Sequence, residues 1–241
     1  MPWTSAPGSG TAADDVEKDI IQAYMSGQML DLQSRLNLRN LVDAGKVSAV
    51  ALAQFGKLFD SLGLDPAELI RVAENLRFAL DTSPDNRNAA LAPLLPQRYE
   101  QLTWLGLSPI SLRLLEPYAT WLPERTAVNL NTASSQVINA TLPQEDLALA
   151  RRLVTARTLA HFKTVGDAAR ILGDVPGQLD EARYSVSSRY FEVRGLLRLD
   201  ELVVQERSLV VRDGIDIKTL WRERIALPPL SVAAPKTASL Q

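Results

Sequence analysis

One imidazole, that of His161, is all this 241-residue chain offers for general-base or metal chemistry, and the chain has no cysteine. A Ser–His–Asp triad needs that imidazole as its base. His161 lies in Leu159-Ala160-His161-Phe162-Lys163, where no partner is fixed by spacing, and it reads as a residue between two helices. Without thiols, and with a single histidine, His/Cys zinc sites, iron–sulfur clusters, disulfide frameworks and a cysteine nucleophile are excluded. Paired carboxylates can exchange protons. The pairs here are Asp14-Asp15, Glu145-Asp146 and Asp200-Glu201, each at a helix start or a turn, where acids cap and solvate. The densest oxygen-rich stretch, Asp81, Thr82, Asp85, Asn86 and Asn88, lacks EF-hand spacing and reads as a solvated turn. Neither GxxxxGK[ST] nor GxGxxG occurs, so those phosphate cradles are absent. No catalytic residue and no metal-ligand set is assigned.

The composition leaves little for charge-driven binding. Lys+Arg number 26 against 28 Asp+Glu, for a net charge of -2, which argues against bulk attraction to nucleic acid or acidic membranes. A 46% hydrophobic fraction is that of a globular chain. No run of 18 apolar residues exists, so nothing within this sequence is a bilayer-spanning helix. Residues 1–13 read as an irregular leader and 227–241 as an extended tail.

The elements that must position the polar residues follow from periodicity. Val16, Ile20, Ile21 and Tyr24 have helical spacing, and Asp14 and Asp15 suit the positive end of a helix, which predicts a helix over 14–30. The stretch 31–41 mixes two periods and reads as extended. A helix over 47–62 follows. Asp65, Pro66 and Glu68 mark the start of the next, which runs to about residue 80. Ser108-Pro109 opens a further helix. Thr132 is expected to cap a short helix to Ala140, Pro143 to open one reaching about Thr158, and Thr164 with Asp167 to form a capping box for a third ending at Gly173. Beyond Gly177, Phe191, Val193, Leu197 and Leu199 alternate with Glu192, Arg194 and Arg198, the pattern of a half-buried strand. Segments 202–211 and 215–225 are further strands joined at Asp213-Gly214, where both central turn positions call for positive φ. The fold class is therefore α+β, a large helical block inserted into a helix-plus-sheet module.

Val128-Asn129-Leu130-Asn131-Thr132-Ala133-Ser134 is the most specific segment. Val128 and Leu130 face a core, while Asn129 and Asn131 can bond backbone groups. It resembles the opening of the helix-hairpin-helix repeat of DNA-binding competence proteins, in which a glycine-rich hairpin offers backbone N–H groups to phosphate. The corresponding turn here, Leu142-Pro143-Gln144-Glu145-Asp146, has no glycine and carries two acids. Residues 128–177 hold five cations (Arg151, Arg152, Arg157, Lys163, Arg170) and four acids (Glu145, Asp146, Asp167, Asp174). The motif reads as a scaffold retained without nucleic-acid binding. A DNA-binding helix-hairpin-helix protein is the alternative reading.

Four segments in order resemble the K-type minor pseudopilins of bacterial type II secretion. Residues 31–41, Asp-Leu-Gln-Ser-Arg-Leu-Asn-Leu-Arg-Asn-Leu, are similar to that family's D-x-Q-G-R-F-N-L-N-N-L, with Ser34, Leu36 and Arg39 departing from it. Residues 99–106 look like the stretch before its second helical subdomain. Residues 128–133 are similar to its I-N-L-N-T-A, and 184–193 to its S-x-Y-F strand. The resemblance implies a pseudopilin-type N-terminal helix plus antiparallel sheet over 14–45 and 178–226. It also implies an all-α insertion over 46–177, with a first SAM-like part (46–127) and a helix-hairpin-helix-like part (128–177).

The implied role is mechanical. A non-enzymatic subunit would sit at the tip of a periplasmic pseudopilus and cap the fibre. It would assemble with I- and J-type minor pseudopilins for export across the outer membrane of a Gram-negative bacterium, and secreted proteins are a further contact. The helix face Val16, Ile20, Ile21 and Tyr24 is the expected partner-binding surface. Asp31, Asn37, Asn40, Asn129, Asn131 and Thr132 are the expected structural motif. The family's inner-membrane helix and prepilin cleavage site are expected upstream of residue 1. No cofactor is assigned. Calcium is implied by the resemblance alone, and residues 73–81 lack the tryptophan and most of the acids of the family's calcium-associated segment.

Overall fold

The computed structural model describes residues 23–83, 89–144, 146–173, 179–199 and 202–227. The chain makes strand β1 (Ala23–Asp31), leaves the sheet for a helical insertion, and returns as β2 (Tyr190–Leu199), β3 (Leu202–Asp213) and β4 (Asp216–Leu227). The four lie in the order β1-β2-β3-β4, every neighbour antiparallel, with Asp31 opposite Phe191 and Glu192 opposite Leu209. The insertion contains α1 (Ala49–Leu62), α2 (Pro66–Ala79), α3 (Pro109–Leu115), α4 (Ser135–Thr141), α5 (Leu147–Leu159) and α6 (Val165–Ile171). The fold is α+β.

Local signals set the helix ends. Ser48 Oγ accepts the Ala51 N–H to start α1, and Gly63 at φ +65° ends it by returning its own N–H to Phe59 and Asp60. Ala51, Phe55, Leu58 and Phe59 recur at helical spacing and form the buried stripe of α1. Leu69, Val72, Ala73 and Leu76 do the same on α2. These join Leu102, Leu115, Leu130, Val137, Ile138, Leu153 and Tyr184 in one continuous core that runs through both parts of the insertion. A smaller core of Leu32, Leu122, Tyr190 and Leu209, with Val211 and Trp221 against it, sits where the insertion meets the sheet.

Several expectations need correction. Residues 23–30 are strand, not the end of a helix, because all of β1 is hydrogen-bonded along β2, a partner that lies more than 150 residues away. The strand or extended reading of 31–41 holds at Leu36–Asn37, which pairs in parallel with Ala119–Thr120, while Leu32–Ser34 and Leu38–Leu41 are 3-10 turns capped by Asp31 and Asn37. Ser134, not Thr132, caps α4, and Asp146, not Pro143, opens α5. Glu68 makes no capping box; it accepts the Ser108 N–H at 3.2 Å and ties α2 to the start of α3. At the β3–β4 turn only Gly214 has positive φ, since Ile215 occupies the second central position.

The alternation in β2 is present, but close to the insertion its polar member is the buried one. Tyr190 and Glu192 face the insertion, with Glu192 only 6% exposed, while Leu197 and Leu199 lie on the opposite face at 46% and 39%. Phe59→Ala, at a fully buried site, is expected to cost about 3–5 kcal/mol in urea unfolding. Ile110→Ala, at a solvent-exposed site on α3, should stay within about 0.5 kcal/mol.

Candidate functional site

Where β1 ends, one carboxylate collects donors from its own turn and from two distant segments. Asp31 Oδ1 accepts the Gln33 N–H at 2.8 Å. Its Oδ2 accepts from Asn129 Nδ2 at 3.1 Å, Thr132 Oγ1 at 2.5 Å and Ser188 Oγ at 2.7 Å. Asn129 Nδ2 also donates to Ser188 Oγ at 2.9 Å, and its Oδ1 accepts the Asn131 N–H at 2.9 Å. The start of the insertion, its middle and its return are thus fastened at a single point.

The neighbouring asparagines use both ends of their amides. Asn37 donates to the Glu124 carbonyl (2.7 Å) and Thr126 Oγ1 (3.1 Å), and accepts the Arg39 and Leu122 N–H groups. Asn40 donates to the Thr126 carbonyl (2.8 Å) and accepts the Thr126 N–H (3.0 Å), as a neighbouring strand would. Asn131 donates to the Phe162 and Val186 carbonyls, both at 2.9 Å, and accepts the Phe162 N–H. Arg, Lys or Asp could not replace them, because each amide both gives and receives. Sequence reasoning missed Gln33 and Ser188. Gln33 Oε1 accepts the Arg189 and Tyr190 N–H groups while its Nε2 donates to the Ala127 carbonyl. Both match fixed letters of the motifs over 31–41 and 184–193, a signal that could have found them, but their partners lie far away in the chain and only the fold shows them.

A seam of charge continues from this clamp along the sheet. Arg207 of β3 bridges Glu192 of β2 (3.2 Å) and Glu100 of the insertion (3.1 Å), and Arg194 also pairs with Glu192. Arg98 of the insertion pairs with Glu223 of β4 at 2.9 Å, its guanidinium 5.2 Å from the Trp221 ring centre. Burial pushes the Glu192 carboxyl upward, but the hydrogen bonds and charges of Arg194 and Arg207 prevail and hold it below its ordinary range. Tyr190 donates to Glu124 Oε1 at 2.6 Å; burial first, and that hydrogen bond second, raise its phenol well above the usual range.

The helix-hairpin-helix segment is closed on the protein itself. Lys57 of α1 donates to the carbonyls of Leu142 and Pro143, the latter at 3.2 Å. Asp146 Oδ1 accepts the Leu149 N–H at 2.9 Å, so a carboxylate occupies the N-terminus of α5 that would face a phosphate. His161 is an exposed residue between α5 and α6. Among the described residues, no group of three or more His, Asp or Glu is placed to hold a metal ion. Of the expected partner surface, Tyr24 is exposed on β1 with Arg198 beside its ring. Val16, Ile20 and Ile21 lie outside the described residues, as do Asp85, Asn86 and Asn88 of the oxygen-rich loop.

The fold defines an α+β protein in which a helical insertion is pinned to an antiparallel sheet by buried amides. Residues 34–124 and 128–187 match two successive segments of the type II secretion system protein K family. The chain belongs to that family. It is 28% identical over 207 residues to the type II secretion system protein K of Pseudomonas aeruginosa, across 80% of this chain and 59% of that protein. The chain thus spans little more than half the length of that relative. The GspK-GspI-GspJ complex of the type 2 secretion system of enterotoxigenic Escherichia coli contains a chain of similar fold. It has a TM-score of 0.61 and 20% identity, covering 85% of this chain and 80% of that one. The family places the protein with the envelope-associated type II secretion system, and no helix among the described residues is long and apolar enough to cross a membrane.

Two outcomes follow. Asn37→Ala removes partners from the backbone of Leu122, Glu124 and Arg39, and the stranded buried Leu122 N–H alone should lower urea stability by about 1–3 kcal/mol. Asn37→Asp should not rescue it, because a carboxylate cannot donate to the Glu124 carbonyl. Glu192, with its folded pKa depressed, stabilises the fold above its unfolded value, and this contribution disappears as pH falls through the folded pKa. Thermal unfolding followed from neutral pH into the acid range should therefore show a steeper loss for wild type than for Glu192→Gln.

Proposed function

We propose that this chain is the globular part of a structural, non-enzymatic minor pseudopilin that caps the type II secretion pseudopilus. In this role it assembles with I- and J-type minor pseudopilins. The observation that carries this reading is the self-closed hairpin: the segment most like a nucleic-acid contact has Lys57 on its carbonyls and Asp146 on its helix N-terminus. The fold shared with a chain of the GspK-GspI-GspJ complex supports the choice of partners. The clamp then has a mechanical purpose. A cap must transmit force between its helical insertion and its sheet, and the amides of Asn37, Asn40, Asn129 and Asn131 bind the two without a flexible linker. An apolar helix preceding residue 1 anchors the subunit in the inner membrane before assembly, and the globular part works in the periplasm. Val16, Ile20, Ile21 and Tyr24 are the proposed partner contact.

Mixing the chain with purified I- and J-type subunits at micromolar concentration should give one complex with a single copy of each, read by size exclusion with light scattering. Failure of a ternary complex to form would sink the proposal. A salt-sensitive mobility shift with duplex DNA would favour the nucleic-acid alternative, since phosphate contacts release counterions.

A further inference from the structure

Beside the charge seam lies a groove of about 480 Å³ between β4 and the chain around Leu95–Gln97. Its size is that of a ligand-binding cleft. Leu95, Pro96, Trp121, Pro123, Leu220 and Trp221 form its apolar walls. The sheet is modified to make one of these walls. Thr219 pairs with Val210 and Trp221 with Leu209, so Leu220 is an extra residue in a bulge. In a regular strand, neighbours point to opposite faces; here Leu220 and Trp221 both line the groove, which is what a bulge does when it re-aims a side chain. Both indoles are fixed beforehand. Trp121 Nε1 donates to the Pro96 carbonyl at 2.9 Å, and Trp221 is flanked by Arg98 and Arg207 at 5.2 and 6.0 Å from its ring centre.

Charge identifies the occupant. Arg98 is satisfied by Glu223, but Arg39 at the same groove pairs with no carboxylate among the described residues. Its Nη1 donates to the Val42 carbonyl at 3.3 Å, and Arg125 nearby adds like charge. A half-buried guanidinium without a counter-ion, next to aromatic and proline walls, is complementary to a carboxylate that adjoins an apolar side chain.

We propose that this groove is a peptide-docking site whose occupant is an extended segment of a second polypeptide, with an acidic side chain paired to Arg39 and an adjoining proline or leucine packed on Trp121 and Trp221.

The probe is an array of synthetic peptides that place Asp or Glu beside Pro or Leu in every order, each with its Asn or Gln counterpart, followed by fluorescence anisotropy on the best binders. Acidic members should bind saturably, and their amide counterparts about tenfold or more weaker, as loss of a charged hydrogen bond requires. Arg39→Gln should give the same loss. Leu220→Glu, at a partly exposed position, sets a like charge beside the incoming acid and gives a second reading if Arg39→Gln fails to fold. The proposal is overturned if no acidic member binds the wild-type protein, if acid and amide members bind alike, or if binding survives both substitutions unchanged.

Discussion

Everything in this fold depends on closing one very long excursion. The chain leaves the sheet at Asp31 and must return so that Phe191 lies opposite it, in a register where a slip of one residue would turn every side chain of the strand to the wrong face. Closing a loop costs entropy that grows slowly with length, but the ends must still be held. The Asp31 carboxylate holds them. It accepts from Ser188 at the return and from Asn129 and Thr132 in the middle of the insertion, and Gln33 fixes the N–H groups of Arg189 and Tyr190 as β2 begins. Buried polar groups are expensive unless fully partnered. At Asp31, Gln33 and Asn129 they are partnered, and that is why they can specify one arrangement and not several.

The charge seam shows the same logic applied to a surface between modules. An antiparallel sheet ordinarily covers its apolar face. This one sets Glu192, Arg194 and Arg207 toward the insertion beside a small apolar core of Leu32, Leu122, Tyr190 and Leu209, and leaves much of its leucine-bearing face partly open. The insertion is seated on the sheet through ion pairs from Arg98 and Glu100, whose partners Glu223 and Arg207 come from different strands. Apolar contact alone would tolerate sliding. Paired charges on separate strands define a position.

The helix-hairpin-helix segment illustrates how a motif can keep its geometry while its chemistry is turned inward. Asn129 and Asn131 bond backbone and side-chain partners inside the protein, and Lys57 and Asp146 take up the polar groups of the turn. The whole segment lies within the part of the chain that matches the protein K family.

The sequence by itself determined the α+β class, the helix starts at Ser108 and Thr164, the hairpin near Gly214, and the lack of cysteine or paired-histidine chemistry, because all of these rest on neighbours within a few residues or on simple counts. It also singled out Asp31, Asn37, Asn40, Asn129, Asn131 and Thr132, though it assigned Thr132 a helix cap when its hydroxyl in fact belongs to Asp31. Only the tertiary structure decided that residues 23–30 are strand, that Glu192 is buried while Leu197 is not, that Gln33 and Ser188 join the clamp, and that Leu220 and Trp221 share one groove. Each of these depends on a partner far away in the chain. Local propensity carries no information about such partners, and a strand's polar and apolar faces are exchanged in role once the surface packed against it is itself charged.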